Sequence, residues 1–413
     1  MEKIEGIDEV RKPTRFFGLS RNVISMSAVS FLNDLSSEMI YPFLSVFITS
    51  TLGASASFLG LIEGVADATA SILKIFSGRI SDVAGRRKIF VVAGYSLSAF
   101  MKPILSIATA PWHVLAVRFM DRVGKGTRDA PRDALVSVST EKKYLGRAFG
   151  FHRSADTLGA TIGPLVAFLI LPLIGNNLRI LFLFSFVASF FAVVIAQVFI
   201  REIKPRLESA HNGDGSRRSL ISKSDFFSLG VPFFVFLAAT TVFSLGRASD
   251  VFLLLRAQNI GVSLALLPLV YSVYNITFAI FSTPAGALSD KIGHRNTFMI
   301  GMLMFSGSYI LLGRITSVTS LMMIFALYGF YSAFTDGVGR AIVADLIEER
   351  LRASAYGLYS AANGIALLPG SFIFGVLWDK WGPQTAFTYG ATLGILAFGI
   401  FLFLRVKNHH REA

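Results

Sequence analysis

The stretch Gly78-Arg-Ile-Ser-Asp82-Val-Ala-Gly85-Arg86-Arg87 recurs as Gly286-Ala-Leu-Ser-Asp290-Lys-Ile-Gly293-His294-Arg295. Both copies follow G-x-x-S-D-x-x-G-x-R, and the offset is constant: 286 − 78 and 290 − 82 each give 208. A matched pattern at a fixed separation implies duplication of one structural unit. Arg132 matches Arg340 at the same offset, while Gly150 matches Gly357 and Asp156 matches Asn363 at 207. The residue types predict a turn between two helices at a membrane boundary. Gly78 and Gly286 let a helix end approach a neighbour closely. Asp82 and Asp290 suit a helix N-terminus or an arginine partner. Gly85 and Gly293 permit a tight turn, and Arg86, Arg87 and Arg295 hold it on one side of the bilayer.

Composition around the repeat agrees with a membrane setting. Of 413 residues, 53% are hydrophobic and 16% charged, with 39 phenylalanines and no cysteine; mean hydropathy is +0.60. Ordinary soluble domains carry about 25% charged residues. A soluble fold of this length leaves too much surface exposed to hide so much apolar area, which argues against a soluble enzyme, a disordered chain and a nucleic-acid-binding protein. A membrane helix needs about 20 predominantly apolar residues. Twelve such spans are predicted, at 22–50, 56–79, 88–108, 112–136, 146–172 and 178–200, then 227–255, 264–288, 297–313, 319–344, 354–378 and 385–404. Runs such as Leu178–Ile200 are apolar over most of their length without alternation, whereas a membrane β-barrel alternates polarity. The expected fold is therefore an all-α membrane protein of twelve transmembrane helices in two six-helix bundles. Residues 1–200 form the first bundle, 201–226 a polar linker and 227–413 the second.

The formal charge of +13 acquires its meaning from placement. Clusters at Arg11/Lys12/Arg15, Arg86/Arg87/Lys88, Lys142/Lys143, Arg217/Arg218 and Arg405/Lys407 all fall on one side of this topology, against Arg179, Arg256, Arg314 and Lys380 on the other. This positive-inside bias puts both termini in the cytoplasm and removes the need for a nucleic-acid partner. Met1–Arg21 is charged and lacks the apolar core of a cleavable leader. The six histidines show no metal-ligand spacing within a span, and without cysteine no thiolate site exists. No metal and no cofactor are expected.

Ionisable residues inside a bilayer span are costly and normally face a partner or a wet cavity. The fourth span carries Arg118, Asp121, Arg122, Lys125, Arg128, Asp129, Arg132 and Asp133 on one face. Opposite it stand candidates in the first span (Asn33, Asp34, Glu38), the second (Glu63, Asp67, Lys74) and the fifth (His152, Arg153, Asp156). The second half is sparser, with Arg247, Asp250, Asp336 and Arg340. We assign Asp34, Glu38, Glu63, Asp67, Arg118, Asp121, Arg122, Lys125, Arg153 and Asp156 to a substrate and proton pathway. A buried carboxylate beside a basic group changes its proton affinity with solvent access, which is a means of coupling to a proton gradient. Asp82 is expected to pair with Arg132, and Asp290 with Arg340, as duplicated locks on the cytoplasmic side.

The chain resembles the major facilitator superfamily over essentially its whole length, with the loop motif in both halves. Arg118-Phe-Met-Asp121-Arg122-Val-Gly124-Lys125-Gly126 is similar to that family's fourth-span arginine motif, although glutamine and glycine usually stand where Asp121 and Arg122 do. Gly159-x-x-x-Gly163-Pro164 resembles the fifth-span motif associated with antiporters and is read as a helix-packing element; the trailing glycine pair is replaced by Val166 and Ala167. Phe31–Pro42 together with Arg128–Leu135 looks like a prokaryotic branch labelled permease or efflux protein. The resemblance implies a monomeric secondary transporter of the cell (inner) membrane, not an enzyme. It would be proton-coupled and move a small organic solute by alternating access, with export favoured. Uptake or exchange of an organic anion, such as a siderophore or phosphorylated metabolite, is the alternative suggested by Arg118, Arg122, Lys125 and Arg153. A non-transporting membrane receptor with the same fold is the alternative of another class.

Overall fold

The computed structural model describes residues 19–140, 144–203, 229–348 and 351–404. Among these the chain is helical and contains no strand. The first half comprises α1 (Arg21–Val46, extended by a π turn over Phe47–Thr51), α2 (Ala56–Ala84), α3 (Arg87–Ser106), α4 (Pro111–Val138), α5 (Leu145–Leu173) and α6 (Leu178–Phe199). The second comprises α7 (Gly230–Gly246), α8 (Val251–Asn259), α9 (Leu267–Ile292), α10 (His294–Arg314), α11 (Val318–Leu346) and α12 (Arg352–Leu402).

Local sequence sets these limits. Ser20 Oγ accepts from Val23 N at the start of α1, and Asn177 Oδ1 accepts from Arg179 and Ile180 N at the start of α6, each satisfying orphan N–H groups. Pro111 opens α4, where its missing N–H costs nothing. Gly85 (φ 60°) and Gly293 (φ 91°) supply the left-handed turns that the repeated loop demands. The seventh span is interrupted: Arg247 is extended (φ −85°, ψ 107°), and Ser249 N donates to Ser371 Oγ rather than to a helical carbonyl. Within α12 the eleventh and twelfth spans are two helices that meet at a kink, at Gly382 (φ 83°, ψ 173°) before Pro383.

Nine helices among the described residues are long and apolar enough to cross a membrane, with Gly230–Asn259 and Ala355–Leu402 each counted once. Helices α1 and α4 reach spanning length, at 26 and 28 residues, but fall outside that set. They carry Asp34, Glu38 and the eight charges of α4, which lower their mean hydropathy.

Within the first half, α1 packs on α5 and α6, and α4 on α2 and α3; within the second, α12 packs on α7 and α10, and α11 on α9 and α10. Glycines bring the rods together. A Cβ at Gly94 would lie 2.5 Å from Gly124 O, and one at Gly124 would lie 2.6 Å from Gly94 O, so α3 and α4 cross backbone to backbone. Gly159 and Gly163 serve α5 in the same way against Phe31 O and Leu35 O of α1, at 2.4 and 2.6 Å, with Pro164 following in the same helix. The halves differ inside. Phe243, Phe305, Tyr309, Tyr328 and Tyr331 form a continuous aromatic core in the second, whereas the first encloses most of the charge.

The halves meet chiefly through α2 and α12, with α1 on α8 and α5 on α9. The α2–α12 seam starts at the α2 N-terminus, at the end of the molecule opposite the repeated turns, and continues along α2 as far as Ser71, which faces Gly364. Cβ atoms at Gly60 and Gly375 would stand 2.2 Å from Ser371 O and 2.4 Å from Ala56 O. Asp379 closes it, accepting from Ala56 N and Ser57 N at 2.8 Å each across the α2 N-terminus. Gln258 Nε2 donates to Ser50 Oγ beside it at 2.7 Å.

Candidate functional site

The middle of α4 turns its charges toward α1, α2 and the α7–α8 break. They border a cavity of ≈ 270 Å³ lined by Asn33, Asp34, Glu38, Tyr41, Asp67, Arg118, Asp121, Arg122, Lys125, Arg128, Arg247, Ser249, Asp250 and Tyr271 among others. The cavity is halfway along these helices and is formed by both halves.

Its best-ordered element is a buried ion pair. Arg118 Nε and Nη2 donate to Glu63 Oε1 and Oε2, both at 2.9 Å, with Glu63 1% exposed. Arg118 Nη1 also lies 3.7 Å from Asp121 Oδ2. Such a two-pronged geometry fixes both planes. Ser249 Oγ of the α7–α8 break donates to Glu63 Oε2 at 3.3 Å, and Tyr41 OH stands 3.4 Å from Ser249 Oγ. The pair therefore belongs to the first half but reports on the second.

Other cavity charges have weaker ties. Asp34 accepts from Asn33 Nδ2 at 3.1 Å, and Asp250 from Tyr328 OH at 2.8 Å. Arg128 donates to Ser98 Oγ at 2.6 Å and stacks on the Tyr95 ring at 4.4 Å, so it serves the α3–α4 contact. No ion pair within 4.0 Å is formed by Asp34, Glu38, Asp67, Arg122, Lys125, Arg247 or Asp250 among the described residues. Glu38 Oε2 and Arg122 Nε are buried atoms without a hydrogen-bond partner.

One turn further along α4, Arg132 lines a second, wider cavity of ≈ 1110 Å³ between α4 and α5 on one side and α9 and α11 on the other. The exposed residues Arg153, Asp336 and Arg340 stand on its wall. It lies toward the face carrying the Gly85 and Gly293 turns, which we call the basic face. His152 and Asp156 are buried there, His152 Nε2 3.8 Å from Asp156 Oδ1 and its Nδ1 3.5 Å from Ser27 Oγ. Arg153 Nη1 lies 4.0 Å from Asp156 Oδ2.

The sequence-derived pathway thus divides. Asp34, Glu38, Asp67, Arg118, Asp121, Arg122 and Lys125 share the central cavity with Glu63 behind it, whereas Arg153 and Asp156 belong to the wider one. Of the two expected locks, the described residues include both side chains only of Asp290–Arg340. The Asp82 side chain lies outside the described residues; Arg132 is engaged by Asp133 at 2.9 Å, by Asp129 at 3.9 Å and by Ser30. Asp290 and Arg340 are not within ion-pair distance. Asp290 meets His294 Nε2 at 3.4 Å, and His294 Nδ1 reaches Asp345 Oδ2 at 2.6 Å. His294 intervenes because it starts α10 directly after the Gly293 turn, between the carboxylates of α9 and α11. Gly78 does approach α4, its Cβ position 3.2 Å from Ala130 Cβ, but Gly286 meets nothing within 4 Å and borders the open cavity. Arg86 is exposed; the N–H groups of Arg87 and Lys88 are capped by Glu202, and Arg295 Nη2 donates to Leu402 O at 2.8 Å.

Sequence reasoning missed Lys102, Ser249 and Asp379. Lys102 is 5% exposed in α3 and donates to Ser36 Oγ, which in turn donates to Ser185 O. A lone lysine in an apolar span was the available signal. Ser249 carried none, because its role depends on the helix break.

A duplicated scaffold, helical among its described residues, with a charged chamber at mid-depth lined by both halves, has the architecture of a polytopic membrane transporter. The Major Facilitator Superfamily model matches residues 26–255 and 235–413. The chain is 36% identical over 392 residues to an MFS-type transporter of Methanocaldococcus jannaschii, covering 94% of this chain and 95% of that protein. It is 24% identical to the multidrug resistance protein MdtH of Salmonella paratyphi B, over 91% of each chain. The nucleoside transporter NupG superposes with a TM-score of 0.76 at 15% identity, over 92% of this chain and 98% of that one. The chain belongs to the Major Facilitator Superfamily.

Proposed function

We propose that the protein is a proton-coupled secondary transporter that moves a small organic solute by alternating access, in the direction of export. The two bundles, residues 1–200 and 227–413, are the moving bodies, joined by the linker 201–226. The basic face and both termini are cytoplasmic in the cell (inner) membrane, and the working unit is a monomer. The observation that carries the reading is the central chamber. Charges of both signs line it and it is built by both halves, while the α2–α12 seam is closed at the far end by Asp379 on the α2 N-terminus. With the basic face inside, this is the inward-open state. Rocking the halves would part Asp379 from α2 and close the wider cavity, exposing the chamber to the other side.

Coupling is assigned to Asp34 and Glu38, one turn apart on α1 and without an ion-pair partner. Export is favoured by the partial fifth-span motif and by the likeness to a relative named for multidrug resistance. Exchange of an organic anion is a second reading, favoured by the unpaired Arg122 and Lys125 on the chamber wall. The test is solute flux in proteoliposomes under an imposed pH gradient across a metabolite panel. Flux that follows the gradient and is lost in Asp34→Asn supports the reading; flux indifferent to the gradient removes proton coupling, and no flux with any solute favours a receptor.

A further inference from the structure

The chamber's unmatched charges bear on what it binds. On its α4 wall, Arg122 and Lys125 are three residues apart and share a face; on its α1 wall, Asp34 and Glu38 are four apart and share another. Glu38 lies in the field of Arg122 and Lys125, yet none of these four makes an ion pair within 4.0 Å among the described residues. Opposite charges therefore face one another across space rather than closing on each other. Glu38 Oε2 and Arg122 Nε are both buried and unpartnered, an arrangement that is expensive unless something else satisfies it. The neighbouring Arg118 cannot supply it, because Glu63 holds both of its prongs.

A solute of one sign would satisfy one wall and leave the other facing a like charge. An anion answers Arg122 and is repelled by Glu38; a cation does the reverse. At ≈ 270 Å³ the chamber falls just under the about 300–1,000 Å³ typical of sites for drug-sized ligands. Deepening the transporter reading and resting on it, we infer that the substrate is a small zwitterion of amino-acid size, its anionic group against Arg122 and Lys125 and its cationic group against Glu38 and Asp34. Five carboxylates and five cations line the chamber, so a solute without net charge preserves the balance on entry. Binding would also draw the α1 and α4 walls together through the solute.

Matched trios of ligands test this on the purified full-length protein. Each trio holds a small amino acid, its methyl ester (cation only) and its N-acetyl derivative (anion only), titrated by calorimetry. The zwitterion should bind and each masked form should bind more weakly by about tenfold or more, because masking leaves a buried charge unanswered. Glu38→Gln should relax rejection of the N-acetyl form, and Arg122→Gln that of the ester. This crossing of preferences is not produced by a merely structural defect. A masked form binding as well as its parent in the wild type overturns the inference, even where neither variant can be purified. So does a preference that neither variant alters. Binding or gradient-driven flux confined to neutral or singly charged solutes overturns the zwitterion while leaving the transporter intact. Zwitterion binding without flux retains the site and removes the transport reading.

Discussion

Glu63 and Arg118 form a two-pronged pair in which Glu63 is 1% exposed and Arg118 11%, so each charge depends largely on the other, with Asp121 as a weaker second partner of Arg118. Removing one partner strands a buried charge, a loss of about 3–5 kcal/mol, whereas replacing both with neutral groups is far milder. Glu63→Gln and Arg118→Gln should therefore each lower the melting temperature of the detergent-purified protein sharply, and the double variant should recover most of the loss. Ser249 offers a finer probe. Its hydroxyl reaches Glu63 from the other half, so Ser249→Ala should leave thermal stability within about 1 kcal/mol of the parent while altering solute flux. Equal flux in that variant would deny the α7–α8 break a part in transport. Most of the charged residues were legible in the sequence, since intramembrane ionisable groups stand out against apolar neighbours. Their partners were not. The offset of 208 pointed Asp290 at Arg340, but His294 occupies the space between α9 and α11, and only a backbone turning at Gly293 decides that.

At the scale of elements, the α2–α12 seam is a contact of backbones, with small residues where side chains would hold the rods apart. Gly60→Val should wedge it open, since even a Cβ there would stand 2.2 Å from Ser371 O. Asp379→Asn is the gentler perturbation. It removes a full charge from the α2 N-terminus, where such a cap contributes about 1 kcal/mol, and should shift the balance between open and closed far ends about fivefold. A cysteine pair at Ser50 and Gln258 in this cysteine-free chain, joined by a short bis-methanethiosulfonate reagent, measures that balance: yield should fall in Asp379→Asn and fall further in Gly60→Val. The helices themselves were nearly all readable, because apolar length determines them. The breaks were not. Arg247–Asp250 lies inside an apolar run, and its bend is fixed by Ser371 on a distant helix. The kink at Gly382 falls in the gap between the predicted spans 354–378 and 385–404.

At the scale of the whole molecule, transport by rocking requires the far end to part, so cleavable cross-linking of the Ser50/Gln258 cysteine pair should abolish flux and its reversal should restore it. Flux through the cross-linked protein would contradict a rocking mechanism. The first half encloses most of the charge and the second is built round aromatic rings, although both line the chamber. The same contrast has a consequence for how the protein is made. Helix α4 has eight Asp, Lys and Arg residues in a 28-residue rod, and a charged residue at mid-bilayer costs about 2.5–3.5 kcal/mol on insertion. Alone, it would be rejected by the insertion machinery. Its glycine crossing with α3 and the ion pair to α2 become available only when those helices are already beside it, so the ribosome must deliver α2, α3 and α4 as a group. Truncated nascent chains carrying α4 without α2 and α3 should leave it outside the bilayer, and glycosylation mapping would show it. The charges that occupy the chamber of the finished protein also dictate its order of assembly.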